Sequence, residues 1–376
     1  MTGGLRVLLV EDNPADAELI RESFPPGGSG GFEIECANRL AGALERLERG
    51  GIDLVLVDLG LPDSQGLETL HSLHKAVSDV PLIVLTGNAD QELALRAVRE
   101  GAQDFLVKGT ETGALLERSA RYAVERKRGE QRERLAREIL ELLNRPDASA
   151  HAIPEILRLI KKHTGFAAVA IRLRDGDDFP YHETSGFDEA HLLAECSLCG
   201  RDAAGNPTRD AEGNPVLEGL CGAVLRGHTD PALPFFTKDG SFWTNSTTQL
   251  HAAPAEAEAE ADRGLRTRDR CNTEGYESVA LIPLRSGAET IGLLQLNDRR
   301  PDRFSLGMIR FFEGLGASIG IALSRKQAEE TQRKTLTKLR KTFDGIMETI
   351  MRAVEIRDPY TAGHQRRVAD LARAIA

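Results

Sequence analysis

The chain has 376 residues, 41% hydrophobic and 28% charged, and its formal net charge is −10. The length suggests two or three globular domains, and the acidic balance argues against a nucleic-acid or anionic-membrane binder. No apolar run approaches the ~18 residues that span a bilayer, the N-terminus lacks signal-peptide features, and five cysteines make no disulfide scaffold, so a cytoplasmic, membrane-free protein is expected.

Residues 1–125 alternate between apolar strands and amphipathic helices. The predicted strands are Leu5–Val10, Phe32–Ala37, Asp53–Val57, Pro81–Leu85 and Asp104–Val107. The predicted helices are Pro14–Phe24, Leu40–Arg49, one from about Gly66, Gln91–Glu100 and one from about Thr112 to Lys127. Near-continuous apolar strands are typical of a parallel sheet with helices on both faces, so this region is predicted to be a doubly wound, flavodoxin-like α/β domain.

Five polar residues follow the predicted strands of this domain. They are Glu11 and Asp12 after the first strand, Asp58 after the third, Thr86 after the fourth and Lys108 after the fifth. Ligands bind at the carboxyl ends of the strands in such folds, so these side chains are expected to meet. Mg2+ prefers hard oxygen ligands. Asp12 and Asp58 are expected to bind it directly, Glu11 through a water molecule, and Gly60 through its backbone carbonyl.

The same residues predict phosphoryl transfer. Asp58 is the expected nucleophile, and catalysis would consist of positioning and charge stabilisation. Lys108 supplies a positive charge to a phosphoryl oxygen, and the Thr86 hydroxyl can follow the new phosphate. The alternative is a set of solvated acids in an unrelated flavodoxin-like fold.

Four segments resemble the motifs of bacterial response-regulator receiver domains: VLLVEDNPADAELI, LVLVDLGLPDSQGLETL, PLIVLTG and DFLVKG. The resemblance covers residues 5–125 and implies a phosphorylated Asp58 and a histidine kinase as partner. Gly109 stands where many receivers have proline, and Phe105 stands where a Tyr or Phe switch residue usually lies.

Residues 126–147 are charged and helical in pattern, with Leu135, Ile139 and Leu142 at helical spacing. The two interpretations are a solvated connector helix and a signalling helix that pairs with a second copy of the chain.

Residues 148–325 predict an α+β domain. The expected elements are a helix at His151–Thr164, a strand at Ala167–Arg174, an irregular stretch over about 175–250, a hairpin of Ser278–Arg285 and Thr290–Asn297, and a helix at Phe304–Leu323. The segments EGYESVALIPLRSGAETIGLLQLND and FEGLGASIGIAL resemble those of GAF domains. The resemblance implies a small-molecule or cofactor sensor that also dimerises.

Four cysteines lie in this region, at Cys196, Cys199, Cys221 and Cys271. A C-x-x-C pair with two more thiols can hold zinc or an iron–sulfur cluster, and His228 and His251 are candidate substitute ligands. Redox-active thiols and thiols without a special role are the alternatives. Cys36 is expected in the core of the first domain.

Four aromatic residues cluster in a loop rich in Pro and Gly: Phe235, Phe236, Phe242 and Trp243. They predict a local core, with a sensor pocket close to them as the alternative.

Residues 326–356 predict a coiled-coil helix. Apolar residues at spacings of 3 and 4 form its seam, namely Leu336, Leu339, Phe343, Ile346 and Ile350. Such a stalk favours a homodimer.

Residues 357–376 read RDPYTAGHQRRVADLARAIA and resemble the opening of HD-GYP domains, metal-dependent phosphodiesterases of cyclic di-GMP. The resemblance makes His364 a metal ligand, and Tyr360 at a third-metal position favours two metals. Arg366, Arg367 and Asp370 share this helix, with phosphate contact or solvation as their roles. Neither a His-Asp dipeptide nor Gly-Tyr-Pro occurs, so this chain is expected to be inactive as a phosphodiesterase, with His364 an orphan, and to end inside that domain.

These inferences predict a response regulator whose phosphorylation and sensing control an HD-GYP output. The alternative is a stand-alone phosphorelay or adaptor protein that acts by binding partners. A histidine-kinase fragment is disfavoured because the stalk lacks a His followed by Glu or Asp.

Overall fold

The computed structural model describes residues 4–24, 31–87, 91–108, 113–145, 152–202, 205–252, 270–357 and 362–375. The chain divides into two compact units, one ending at Ser318 and the other beginning at Ile319. The first unit contains two successive domains, each with its own five-stranded sheet.

The first domain is built on a parallel sheet. Its strands are β1 (Leu5–Val10), β2 (Phe32–Ala37), β3 (Leu54–Asp58), β4 (Gly60–Leu61), β5 (Ser64–Gln65), β6 (Leu82–Thr86) and β7 (Asp104–Val107). Its helices are α1 (Pro14–Glu22), α2 (Leu40–Glu48), α3 (Leu67–Ala76), α4 (Gln91–Arg99) and α5 (Gly113–Leu143). The sheet order is β2-β1-β3-β6-β7, and β4 pairs separately with β5.

Every neighbouring pair in this sheet is parallel, and an apolar layer covers each face. The chain winds to one side from β1 to β2 and to the other from β3 onward, so the switch point of the topology lies between β1 and β3. Asn13 starts α1 locally: its side chain accepts a hydrogen bond from the backbone of Ala15, and Pro14 occupies the first helical position. The predicted flavodoxin-like fold is confirmed.

Helix α5 runs on without a break through the segment predicted as a linker. Leu135, Ile139 and Leu142 are buried within the chain, and α5 packs against α6 (Ala152–Thr164). The interpretation that these three residues pair with a second copy is therefore wrong, and so is that of a solvated connector. The helix of the next domain covers their apolar face.

The second domain has an antiparallel sheet in the order β10-β11-β12-β8-β9. Its elements after α6 are β8 (Ala168–Leu173), β9 (Tyr181–Ser185), α7 (Glu189–Ala194), α8 (Gly219–Arg226), β10 (Phe242–Thr244), α9 (Thr247–Ala252), α10 (Arg270–Thr273), β11 (Ser278–Ser286), β12 (Glu289–Asp298) and α11 (Leu306–Arg357). The predicted first helix, first strand and hairpin are confirmed within a few residues. The closing helix begins near its predicted start, but it does not end at Leu323 and continues to Arg357.

The stretch predicted as irregular, 175–250, contains five short elements instead: β9, α7, α8, β10 and α9. It also holds two copies of a turn with the sequence RDAxGNP. In each copy the arginine donates from Nη1 to a glycine carbonyl, Arg201 to Gly205 at 2.9 Å and Arg209 to Gly213 at 2.8 Å. The same hydrogen bond therefore forms in both copies of the repeat.

Helix α11 begins inside the second domain, where Ile309, Phe312 and Leu315 are buried. By length and composition alone, Leu306–Ala353 could cross a membrane, since its most apolar window has a mean hydropathy of 1.4. One third of that window is buried within the protein. One such helix is weak evidence for a membrane span, because the core helix of a domain passes the same test.

The second unit contains the rest of α11 and α12 (Ala362–Ile375). The five predicted seam residues, from Leu336 to Ile350, are between 52% and 64% exposed. Val368, Leu371 and Ile375 of α12 are exposed as well.

Several sequence predictions have a plain structural outcome. Cys36 is exposed on the edge strand β2, so its assignment to the core is wrong. Gly109 and Tyr360 lie outside the described residues, as does the side chain of Arg366.

Candidate functional site

Three carboxylates converge at the carboxyl ends of β1 and β3. Glu11 and Asp12 follow β1 and Asp58 ends β3, and their nearest ligand atoms all lie within 4.8 Å of one another. Glu11 is buried, Asp58 is half-buried and Asp12 is exposed. An all-oxygen donor set that opens to solvent fits Mg2+, which binds through a few carboxylates and keeps several waters.

Lys108 lies among these acids, directly after β7. Its Nζ is 2.6 Å from Glu11 Oε2 and 3.1 Å from Asp16 Oδ2, and it also contacts Asp58 Oδ2. Burial acts to lower the pKa of Lys108, but hydrogen bonds to Asp58, Glu11 and Asp16 outweigh it and raise that pKa. Burial raises the pKa of Glu11 despite the contact with Lys108. Lys108 therefore stays positively charged and holds the acids together.

Thr86 and Gly60 lie at the same edge of the sheet. Thr86 ends β6 and is buried, and its Oγ1 donates to the carbonyl of Gly87 at 3.1 Å. The Gly60 N–H donates to Asp58 Oδ1 at 2.8 Å, which orients the carboxylate. The structure therefore brings together the side chains that the sequence predicted for this site, with Gly60 beside Asp58.

Asp16 was not among the residues predicted for this site. It lies in the first turn of α1, three residues after the N-cap Asn13, and its contact with Lys108 links a helix to the site. No motif marks it. The only available signal is its place one helical turn after Glu11 and Asp12, in a helix that starts at the end of β1.

The four cysteines of the second domain do not assemble into one site. Cys196 is exposed, and the buried Cys199 thiol lies 3.7 Å from the carbonyl of Gly200. Only Cys221 and Cys271 line a common cavity, of about 50 Å³. Among the described residues, Glu11, Asp12 and Asp58 are the one group close enough to hold a metal ion. The prediction of zinc or an iron–sulfur cluster at the cysteines is therefore not supported.

The two candidate substitute ligands lie apart as well. His251 lines the cavity with Cys221 and Cys271, whereas His228 lines a separate cleft. Neither completes a metal site with the thiols among the described residues.

A buried polar network runs beside this cavity. Tyr181 Oη is 3.1 Å from His191 Nε2 and 3.2 Å from Gln295 Oε1, and His191 Nδ1 is 2.6 Å from Glu274 Oε2. Burial raises the pKa of Tyr181 well above its ordinary value. The network fixes the side chains that shape the cavity.

Arg172 lies under Tyr181 and is fully buried. Its guanidinium carbon is 3.5 Å from the centroid of the Tyr181 ring, and it donates to the carbonyls of Phe179 and Glu195 at 3.0 and 2.7 Å. Two carbonyl dipoles and an aromatic face thus stabilise this buried charge.

The predicted aromatic cluster forms part of the local core. Phe236 and Phe242 are buried with ring centroids 5.9 Å apart, and Phe242 also lines the cavity. The local-core interpretation is thus confirmed for Phe236 and Phe242, whereas a sensor pocket stays a prediction. His364 on α12 is exposed, away from any cluster of ligands among the described residues.

Comparison with known proteins identifies both domains. Residues 7–120 match the response regulator receiver domain, and residues 150–323 match the GAF domain. The first domain is therefore a receiver domain and the second a GAF domain. The chain is a two-component response regulator that joins the two.

The curated relatives match a third of this chain or less. The luminescence regulatory protein LuxO of Vibrio campbellii is 37% identical over 107 residues, which are 28% of this chain and 23% of that protein. The C4-dicarboxylate transport transcriptional regulatory protein DctD of Pseudomonas aeruginosa is 35% identical over 123 residues, 33% of this chain and 26% of that protein. The chain thus matches about a quarter of the length of these relatives.

Among solved structures, the signal receiver domain of a putative Luxo repressor protein from Vibrio parahaemolyticus is 26% identical to this chain. The match covers 35% of this chain and 95% of that chain, with a TM-score of 0.31.

Proposed function

We propose that the receiver domain accepts a phosphoryl group on Asp58 in a reaction that requires Mg2+. The observation that carries this proposal is the meeting of Glu11, Asp12 and Asp58 around one lysine, Lys108, at the switch point of the sheet. Nucleophile, metal ligands and a charge for the phosphoryl group are then within one site.

Each residue has a distinct role in this reaction. Asp12, Asp58 and the Gly60 carbonyl would hold Mg2+ directly, and Glu11 through water; the ion supplies charge neutralisation for the carboxylates and the phosphoryl oxygens. One Asp58 oxygen attacks phosphorus, and the leaving group of the donor departs with the electrons of the broken bond. Lys108 moves its ammonium to a phosphoryl oxygen, and the Thr86 hydroxyl turns to the phosphate.

The test is labelling of the full chain with acetyl phosphate and Mg2+. Asp58→Asn should abolish the label, since the amide is a poor nucleophile. Asp79→Asn changes an exposed carboxylate of the same domain and should label as the wild type does. Equal labelling of Asp58→Asn would overturn the assignment. In the cell, a histidine kinase is the proposed donor and the cytoplasm the proposed location.

We also propose that the exposed seam on α11 pairs with the same seam of a second copy. Five large apolar residues at heptad spacing are exposed in the single chain, and burying them needs a matching partner surface. A second copy presents that surface by symmetry.

Sedimentation of two variants tests the pairing. Ile346→Asp places a charge in the seam and should shift the protein to monomer. Thr337→Asp places the same charge on α11 outside the seam and should leave the dimer intact. A dimer unchanged by Ile346→Asp would rule out the seam as the interface.

We further propose that α12 opens an HD-GYP phosphodiesterase domain in the full-length protein. The segment DPYTAGHQRRV and the exposed His364 support this proposal, and phosphorylation together with sensing by the GAF domain would control the output through the helices. The extended protein should hydrolyse cyclic di-GMP with Mn2+ or Fe2+ under anaerobic conditions. Absence of turnover would favour an adaptor that acts by partner binding.

A further inference from the structure

Two cysteines that are far apart in sequence line one cavity of the GAF domain. Cys221 is the third residue of α8 and Cys271 the second residue of α10. Both are half-buried and outside any disulfide, both pack against the same apolar cluster, and both line the cavity of about 50 Å³. The structure has thus gathered two of the chain's five cysteines in one small space.

Cys271 is held by two buried amides of β12. Asn297 Nδ2 is 3.5 Å and Gln295 Nε2 3.8 Å from its Sγ, and both amide side chains are almost fully buried. Burial first, and then the nearby charge of Cys221, raises the pKa of Cys271 to about 12. Cys271 therefore keeps its proton at neutral pH, and its sulfur is fixed in place.

Cys221 has a different environment. It lies in the first turn of α8, at the positive end of the dipole of an eight-residue helix. The pair thus combines a thiol at a helix N-terminus with a thiol whose sulfur is held by two amides.

We propose that Cys221 and Cys271 are a redox site that a small hydroperoxide oxidises to a disulfide. The Cys221 thiolate attacks the near oxygen of H2O2, the O–O bond breaks, and the departing hydroxide takes up the thiol's proton to form water. The resulting sulfenic acid of Cys221 is attacked by Cys271, whose proton leaves with the hydroxyl group as a second water. Two thiols are oxidised, one peroxide is reduced, and a disulfide closes the cavity wall.

The cavity also limits the oxidant. A single water needs roughly 10–15 Å³ of such space, so about 50 Å³ has room for H2O2, and we expect an aromatic hydroperoxide to fit it poorly. Cys196 and Cys36, which are exposed, have no such limit.

The experiment maps thiols in the full chain. Reduced protein is treated anaerobically with H2O2, free thiols are alkylated, and unreduced peptides are identified by mass spectrometry. A linked Cys221–Cys271 peptide and the loss of two of five free thiols are expected, both reversed by dithiothreitol. Cumene hydroperoxide should produce this peptide far more slowly.

Variants separate the two roles. Cys221→Ser should abolish the linked peptide, whereas Cys271→Ser should leave a sulfenic acid on Cys221 that dimedone traps. Cys196→Ser is the matched control and should behave as the wild type does. Wild-type protein that keeps Cys221 and Cys271 alkylatable, or that reacts equally fast with cumene hydroperoxide, would overturn the proposal without recourse to any variant.

Discussion

The receiver and GAF domains place their polar groups in opposite ways. In the receiver domain, Asp12 and Asp58 lie at the rim of a parallel sheet, where solvent reaches them. In the GAF domain, Arg172, Gln295 and Asn297 lie inside the fold and contact other protein groups. The rim can exchange its partners with solution, whereas the interior network cannot.

This difference follows from topology. Parallel strands all point their carboxyl ends at one edge, so residues from separate strands meet there without leaving solvent. In the antiparallel GAF sheet, successive residues of β8, β11 and β12 are buried, so both faces are covered and polar groups that point into them must be satisfied internally. We therefore expect substitutions of residues at the rim to change the phosphorylation of Asp58. Substitutions of residues in the GAF interior should change the free energy of unfolding.

Removal of metal ions should have the largest effect of the changes considered, and it should affect only the receiver domain. A chelator should abolish Asp58 labelling by acetyl phosphate, because the carboxylates at the rim lose the charge that balances them. Added Mg2+ should restore labelling completely, since the site is open to solvent.

The GAF domain provides the contrast in the same experiment. Its thermal unfolding should be unchanged by the chelator, since its described cysteines form no metal site. A fall in the unfolding temperature of that domain alone would break the comparison and restore a structural metal there.

Most residues of the receiver site could be predicted because the same sequence pattern marks both the strands and the site. An apolar run that ends in an acid both defines a buried strand and places that acid at the rim, as at Asp58. Asp16 was not predictable in this way. Its contact with Lys108 depends on the rotation of α1 about its own axis, which no strand pattern encodes.

Substitution of the buried charged residue Asp298 tests how the GAF interior affects stability. Its side chain is 1% exposed, and Arg300 and Arg303 contact it at 2.8 and 3.3 Å. Asp298→Asn should lower the free energy of unfolding of the GAF domain by about 2–3 kcal/mol, the value of a hydrogen bond to a charged group. Urea unfolding at pH 7 measures this.

The pH dependence of that loss has a definite sign. Burial would raise the pKa of Asp298, but hydrogen bonds from Arg300 outweigh it and lower the pKa. A lowered folded-state pKa adds stability above the unfolded value of ~3.9, and this stability is lost as the pH falls through the folded-state pKa. The gap between variant and wild type should therefore narrow below about pH 4. Asp302→Asn changes an exposed neighbour and should show no gap at any pH.

Little of the GAF interior could be predicted from the sequence. Its middle elements have three to eight residues, too short for a periodic pattern to stand out. The C-x-x-C spacing of Cys196 and Cys199 drew attention to two thiols that the fold separates. The two thiols that line one cavity, Cys221 and Cys271, come from the short helices α8 and α10, and no sequence spacing relates them.

Tyr181→Phe should have a smaller effect on stability. It removes one hydroxyl and leaves His191 and Gln295 without that partner, at a cost of about 1–2 kcal/mol. Asp58 labelling should not change. A variant as stable as the wild type would mean that the network tolerates a missing member and is less closed than its burial suggests.

Asp16→Asn should have the smallest effect, and on reactivity. Asp16 competes with the phosphoryl group for Lys108, and its charge opposes an anionic donor. An ion pair this close to solvent contributes up to about 1 kcal/mol, so labelling by acetyl phosphate should be up to about five-fold faster. Initial rates at low donor concentration measure the effect.

A helix-stabilising role of Asp16 would look different. As a first-turn acid, Asp16 also favours α1 through the helix dipole, so the variant is expected to be slightly less stable in any case. Glu18→Gln removes a charge from the same helix, where Glu18 pairs with Arg21 and not with Lys108. It should leave the rate unchanged. In a Lys108→Ala background, Asp16→Asn should lose most of its effect, because the two residues act through one contact. Equal rate gains with and without Lys108 would mean that Asp16 acts only through its charge, and that the rim responds to net charge and not to a specific partner.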